Sequence, residues 1–133
     1  MQYELRNSDD ENIVYLHVVD PPPLDEAQAI NDKMSEDLAK NGVRQLVVDY
    51  QGLRHSDMDG AAARIVLRRM DRLIREAGHP DDFQLHVAFI TDPDSYGYGI
   101  ARMLIGHGYE LPHLDLAQFD TADAAWAWIR TFS

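Results

Sequence analysis

A chain of 133 residues has the size of one domain and is long enough to bury a single core without covalent staples. Hydrophobic residues make up 45% of it, which argues against disorder, and the absence of cysteine excludes disulfides, thiolate metal sites and cysteine nucleophiles together. A formal net charge of −11 repels phosphate backbones and argues against nucleic acid as a partner.

The start, Met1-Gln2-Tyr3-Glu4, has neither the basic nor the apolar region of a signal peptide. No apolar run approaches the ~20 residues of a membrane span. The expectation is a cytoplasmic domain covering residues 1–133, without a membrane span. Residues 2–6 and 13–19 read as two strands joined by the polar turn Asn7-Ser8-Asp9-Asp10-Glu11-Asn12. Pro21-Pro22-Pro23 then stops the sheet, because proline has no N–H to give a ladder.

From Asp25 the hydrophobic period becomes helical, with Ala27, Ile30, Met34 and Leu38 on one face and Asn41-Gly42 as a left-handed stop. Val43 to Asp49 reads as a second strong strand. A long helix follows from near Asp57–Gly60 to about Ala77, with Ala62, Val66, Met70, Leu73 and Ala77 on its core face. Phe83 to Ile90 is a strand, and Ile100 to about His107 a short helix. His113 to Phe119 is the last strand, and Asp120 or Thr121 caps a final helix carrying Trp126, Trp128 and Ile129. The order β-β-α-β-α-β-α-β-α predicts an α/β domain. Its sheet should be mixed and mostly parallel, with an N-terminal antiparallel hairpin, and packed against about four α-helices.

Three features carry chemistry. Strands ending in Asp20, Asp49 and Asp92, with Asp57 and Asp59 opening the long helix, place carboxylates at the end of the sheet where ligands collect. Such a cluster suits either an interaction surface or Mg²⁺ with a phosphoryl group, although aspartate is also an ordinary helix cap. The segment Asp92-Pro93-Asp94-Ser95-Tyr96-Gly97-Tyr98-Gly99 reads as a flexible loop before a helix. There Tyr96, Tyr98 and Arg102 offer a pocket for an anionic or aromatic ligand, or else a turn covering the sheet edge. Arg64, Arg68, Arg72 and Arg75 share one helical arc, partly neutralised by i, i+4 pairs such as Asp71–Arg75. That arc is either a solvated face or a docking surface for an acidic partner. Histidines at 17, 55, 79, 86, 107 and 113 form no close ligand spacing, and no nucleophile elbow is present. No metal, cofactor or catalytic residue is therefore expected.

The run Leu46–Ala63, LVVDYQGLRHSDMDGAAA, resembles the strand–loop–helix of STAS, or SpoIIAA-like, domains. In the anti-sigma-factor antagonists of that family an apolar strand ends in Asp, here Asp49, and a short loop opens the next helix, here Asp57-Met58-Asp59-Gly60. Tyr98-Gly99-Ile100-Ala101-Arg102-Met103 and the close Phe119-Asp120-Thr121 to Trp126-Ala127-Trp128-Ile129 are similar to segments of an uncharacterised branch. The resemblance implies a regulatory, protein-binding domain without catalysis, acting through Asp49, His55, Ser56, Asp57, Asp59 and Gly60. Asp59 stands where the antagonists carry the serine that a kinase modifies, so the phospho-switch does not carry over. The alternatives are a small-molecule or lipid-binding domain using Tyr96, Tyr98 and Arg102, and a Mg²⁺-dependent phosphoryl-handling enzyme at the aspartates. A homodimer through an exposed hairpin edge or oppositely charged faces is compatible with the sequence.

Overall fold

The structure, a computed structural model, describes residues 2–7 and 13–132, with side chains from residue 13 onward. Its elements are β1 (Gln2–Asn7), β2 (Ile13–Asp20), α1 (Leu24–Lys40), β3 (Gln45–Asp49), α2 (Gly60–Glu76), β4 (Leu85–Ile90), α3 (Tyr96–Gly108), β5 (Leu114–Phe119) and α4 (Ala122–Arg130). The strands form one sheet in the order β1-β2-β3-β4-β5. Strands β2 to β5 are parallel to one another, whereas β1 pairs with β2 antiparallel. The turn expected over residues 8–12 lies outside the described residues.

A monotonic strand order has a direct consequence for the layers. Each parallel crossover is right-handed, so three successive crossovers in one direction deliver α1, α2 and α3 to the same face. Alternation along each strand then sorts the side chains. Val14, Leu16, Leu46, Val48, Leu85, Val87 and Phe89 meet Met34, Leu38, Leu67, Met70, Ile74 and Leu104 in the main core. Ile13, Val47, Ala88 and Ile90 point the other way and are covered by Ala125 and Ile129 of α4. Helix α4 follows the last strand and has no crossover to make, which leaves it free to close the second face.

The start of α3 differs from the sequence expectation. Helix begins at Tyr96, not Ile100, so Tyr96-Gly97-Tyr98-Gly99 is its first turn rather than a flexible loop. Ser95 adopts an extended backbone (φ −87°, ψ 169°) and its Oγ accepts the Tyr98 N–H, capping the turn. Gly97 is required there. A Cβ at that position would lie 2.9 Å from both the Cβ and the carbonyl oxygen of Tyr50, so only glycine lets the helix rest on the chain leaving β3.

The face of α2 is also rotated from its expected position. Ala62, Ala63, Val66, Leu67, Met70, Asp71 and Ile74 are buried, while Ala77 is exposed as the C-cap residue. Asp71 does not pair with Arg75. It turns inward, 5% exposed, and its Oδ1 accepts the His113 N–H at 2.9 Å. A buried carboxylate needs such a donor, and the entry to β5 supplies it.

Candidate interaction site

Parallel strands end at one edge of the sheet, and the segments leaving β3 and β4 meet there. Asp49 closes β3 on the α4 face, 7% exposed. Its Oδ2 accepts the Tyr15 hydroxyl at 2.6 Å and its Oδ1 the Gln51 N–H at 2.9 Å. Both oxygens are thereby occupied in holding the strand end. Gln51 continues the network, its carbonyl 3.3 Å from His17 Nε2 and its amide donating to Asp92 Oδ1 at 3.4 Å.

The stretch from Leu53 to Asp59 is anchored at Leu53, 5% exposed, whose N–H donates to the Tyr50 carbonyl. Beyond it Arg54, His55, Asp57 and Asp59 are exposed, while Met58 packs against the core. His55 Nε2 lies 2.9 Å from Asp57 Oδ1, and both residues are exposed. Ser56 Oγ accepts the Met58 N–H at 3.1 Å. Asp59 has the extended backbone of an N-cap (φ −107°), and its Oδ1 accepts the Ala62 N–H at 2.8 Å. Its charge sits at the positive end of α2, where a carboxylate is favoured. Gly60 opens the helix, and a Cβ there would come within 3.2 Å of His107 Nε2.

Tyr96 ties the two segments together. Its hydroxyl donates to the Ser56 carbonyl at 2.7 Å, and its ring centroid lies 6.1 Å from that of His55. The structure thus brings His55, Ser56, Asp57, Asp59, Gly60 and Tyr96 into one surface. Tyr98 and Arg102 do not join it. Arg102 Nη1 donates to the Tyr98 hydroxyl at 3.3 Å, and the Tyr98 carbonyl accepts from Gln118 of β5. The aspartates do not converge either. Among the described residues, no group of three or more histidine, aspartate or glutamate side chains is placed to hold a metal ion.

The exposed arc of α2 continues from this surface. Arg64, Arg68 and Arg75 have no ion pair or hydrogen bond among the described residues, and Arg72 reaches Glu76 only at 4.0 Å. Arg69 lies to one side and bridges to α1, with Nε 2.8 Å from Asp32 and Nη2 3.1 Å from Glu36. Amid the free cations stands Ile65, an apolar side chain 59% exposed. The sequence expectation included the arginines but not Ile65, although the helical wheel puts it on their arc.

Behind the surface lie two small apolar spaces. The outer one, about 80 Å³, is bounded by Leu16, Val18, Pro22, Leu24, Ile30 and Leu53 among others. The inner one, about 60 Å³, reaches Met34, Leu46, Val48, Met70 and Phe89. Leu16, Asn31, Tyr50, Met58 and Val66 line both. Neither wall includes Tyr96, Tyr98 or Arg102, the residues that the sequence offered for a pocket.

Among the described residues, no helix is long and apolar enough to cross a membrane. Comparison with known proteins finds no family model that matches this chain and no curated protein similar to it.

Proposed function

We propose that the chain is a non-catalytic interaction domain of STAS type that binds an acidic protein surface. The contact would use the exposed arc of α2 and the capped segment 55–60 before it. The observation that carries this reading is Ile65, exposed at 59% on an arc where Arg64, Arg68 and Arg75 lack partners among the described residues and Arg72 reaches Glu76 only at 4.0 Å. Solvated arginines on an acidic chain normally find carboxylates of their own, as Arg69 does with Asp32 and Glu36. Here they surround an apolar side chain instead, which is the composition of an interface: a desolvated anchor within a ring of charge. The net charge of −11 makes the local excess of cations more telling, because the rest of the molecule repels an acidic partner and this arc orients it.

The segment 55–60 suits the same role. Asp59 is consumed as the cap of α2, and Tyr96 fixes Ser56, so the exposed His55 and Asp57 are presented on an ordered edge. The resemblance to the antagonist proteins supports the location, with Asp59 as a fixed charge in place of a switchable serine. Site-specific photo-cross-linking in the native cell tests the proposal. A cross-linker at position 65 is expected to trap one dominant protein, and one at Ala127, exposed on α4, is expected not to. Identical products from both positions would refute the assignment.

A further inference from the structure

The two apolar spaces behind residues 50–58 carry a second inference, independent of the α2 surface. The outer one sits at the carboxyl ends of β2 and β3, the usual place for a ligand in a parallel sheet, and the inner one runs behind it over the middle of β3, β4 and β5. Their common lining of Leu16, Asn31, Tyr50, Met58 and Val66 makes them two lobes of one site, parted by side chains. Together the lobes, about 80 and about 60 Å³, approach the ~150 Å³ of an engineered apolar cavity that takes up benzene. A space of that size admits one ring or a short branched chain. It excludes a two-chain lipid.

Tyr50 supplies the polar element. Among the described residues it is the only tyrosine on either wall, and its ring stacks on Phe89 with centroids 5.7 Å apart. Its hydroxyl has no hydrogen-bond partner among the described residues. The residue is half-buried and its oxygen is not sealed from solvent, so the hydroxyl is open to a bound partner. Burial raises its phenol well above the ordinary value, so the group stays neutral and able to donate. A ligand bond to this hydroxyl would take the place of its contact with water.

We infer that this cavity binds a small uncharged molecule, an aromatic ring or compact hydrocarbon of about benzene's size, carrying one polar group that bonds to the Tyr50 hydroxyl. An anionic ligand would lose hydration among these walls and meet the Asp57 carboxylate on the outer one. Met58 is the gate between the lobes. It is flexible enough to move aside, and it belongs to the segment that precedes α2.

The test uses the full chain with ¹³C-methyl methionine, observed by NMR during titration with phenol, toluene and benzoate. Phenol should shift the Met58, Met34 and Met70 methyls saturably and leave Met103, which lies on neither wall, unmoved. Benzoate should not bind. Tyr50→Phe should weaken phenol about two- to tenfold, the worth of one neutral hydrogen bond, and leave toluene unchanged. Shifts that stay linear to the solubility limit, or that move Met103 as much as Met58, would overturn the site. Equal weakening of phenol and toluene by Tyr50→Phe would overturn Tyr50 as the polar anchor.

Discussion

Tyr50 stands one residue past the end of β3, and its hydroxyl can be deleted without changing the shape of the ring that stacks on Phe89. Removing it leaves a ring of the same shape and breaks no hydrogen bond to a described residue. Tyr50→Phe is therefore expected to change the unfolding free energy by no more than about 0.5 kcal/mol, read from urea denaturation near neutral pH. The sign of its pH dependence follows from the same burial. The ordinary phenol value is 10.0 and the folded value is higher, so the folded state holds a proton that the unfolded state releases as pH climbs above 10. That contribution is fully present below 10 and is lost as pH rises beyond it, so wild type should lose stability more steeply there than Tyr50→Phe. Parallel curves for the two proteins would show that the phenol is not shielded. Asp59 gives a second residue-scale expectation. Asp59→Ala removes the α2 cap and should cost about 1 kcal/mol, whereas Asp59→Asn keeps an acceptor and should cost only a fraction of that.

Among the elements, α3 shows most sharply what the sequence reveals and what it conceals. The alternation of strands and helices is readable because each hydrophobic period changes cleanly, from the β-branched run Ile13–Val19 to the helical spacing of Met34 and Leu38. Termini marked by their own chemistry are readable too, as with Thr121, whose Oγ1 accepts the Ala124 N–H at 3.2 Å. The first turn of α3 is not, because Gly97 and Gly99 look like a loop until the approach of Tyr50 is known. These two glycines should behave oppositely. Gly97→Ala forces a Cβ against Tyr50 backbone and should destabilise by about 1–3 kcal/mol. At Gly99 an added methyl would meet nothing within 4 Å, and Gly99→Ala should stabilise the helix by about 0.5–1 kcal/mol. Thermal unfolding of the pair checks both signs. The inward turn of Asp71 is hidden for a related reason: its acceptor role depends on the His113 N–H, 42 residues away along the chain.

For the molecule as a whole, the sequence locates the candidate surface better than it describes it. Asp49 and Asp59 stand out as site residues in the sequence, yet their carboxylates serve the fold, one fastening the end of β3 and the other capping α2. The arginine arc is visible on a helical wheel, but its significance rests on which cations remain unpaired, and pairing depends on α1 lying beside α2 to take Arg69. Ile65 gains its meaning only when neighbouring elements leave it uncovered. Its exposure also separates binding from folding: Ile65→Ser should change stability by no more than about 0.5 kcal/mol. The most direct measurement is the affinity of the protein captured from position 65 for wild type, for Arg64→Glu/Arg68→Glu and for Lys33→Glu on exposed α1, across a range of salt. If the α2 arc is the docking surface, the double variant loses at least about tenfold, wild type weakens as salt rises, and Lys33→Glu has little effect. Equal affinities for the two charge reversals, with no dependence on salt, would contradict it.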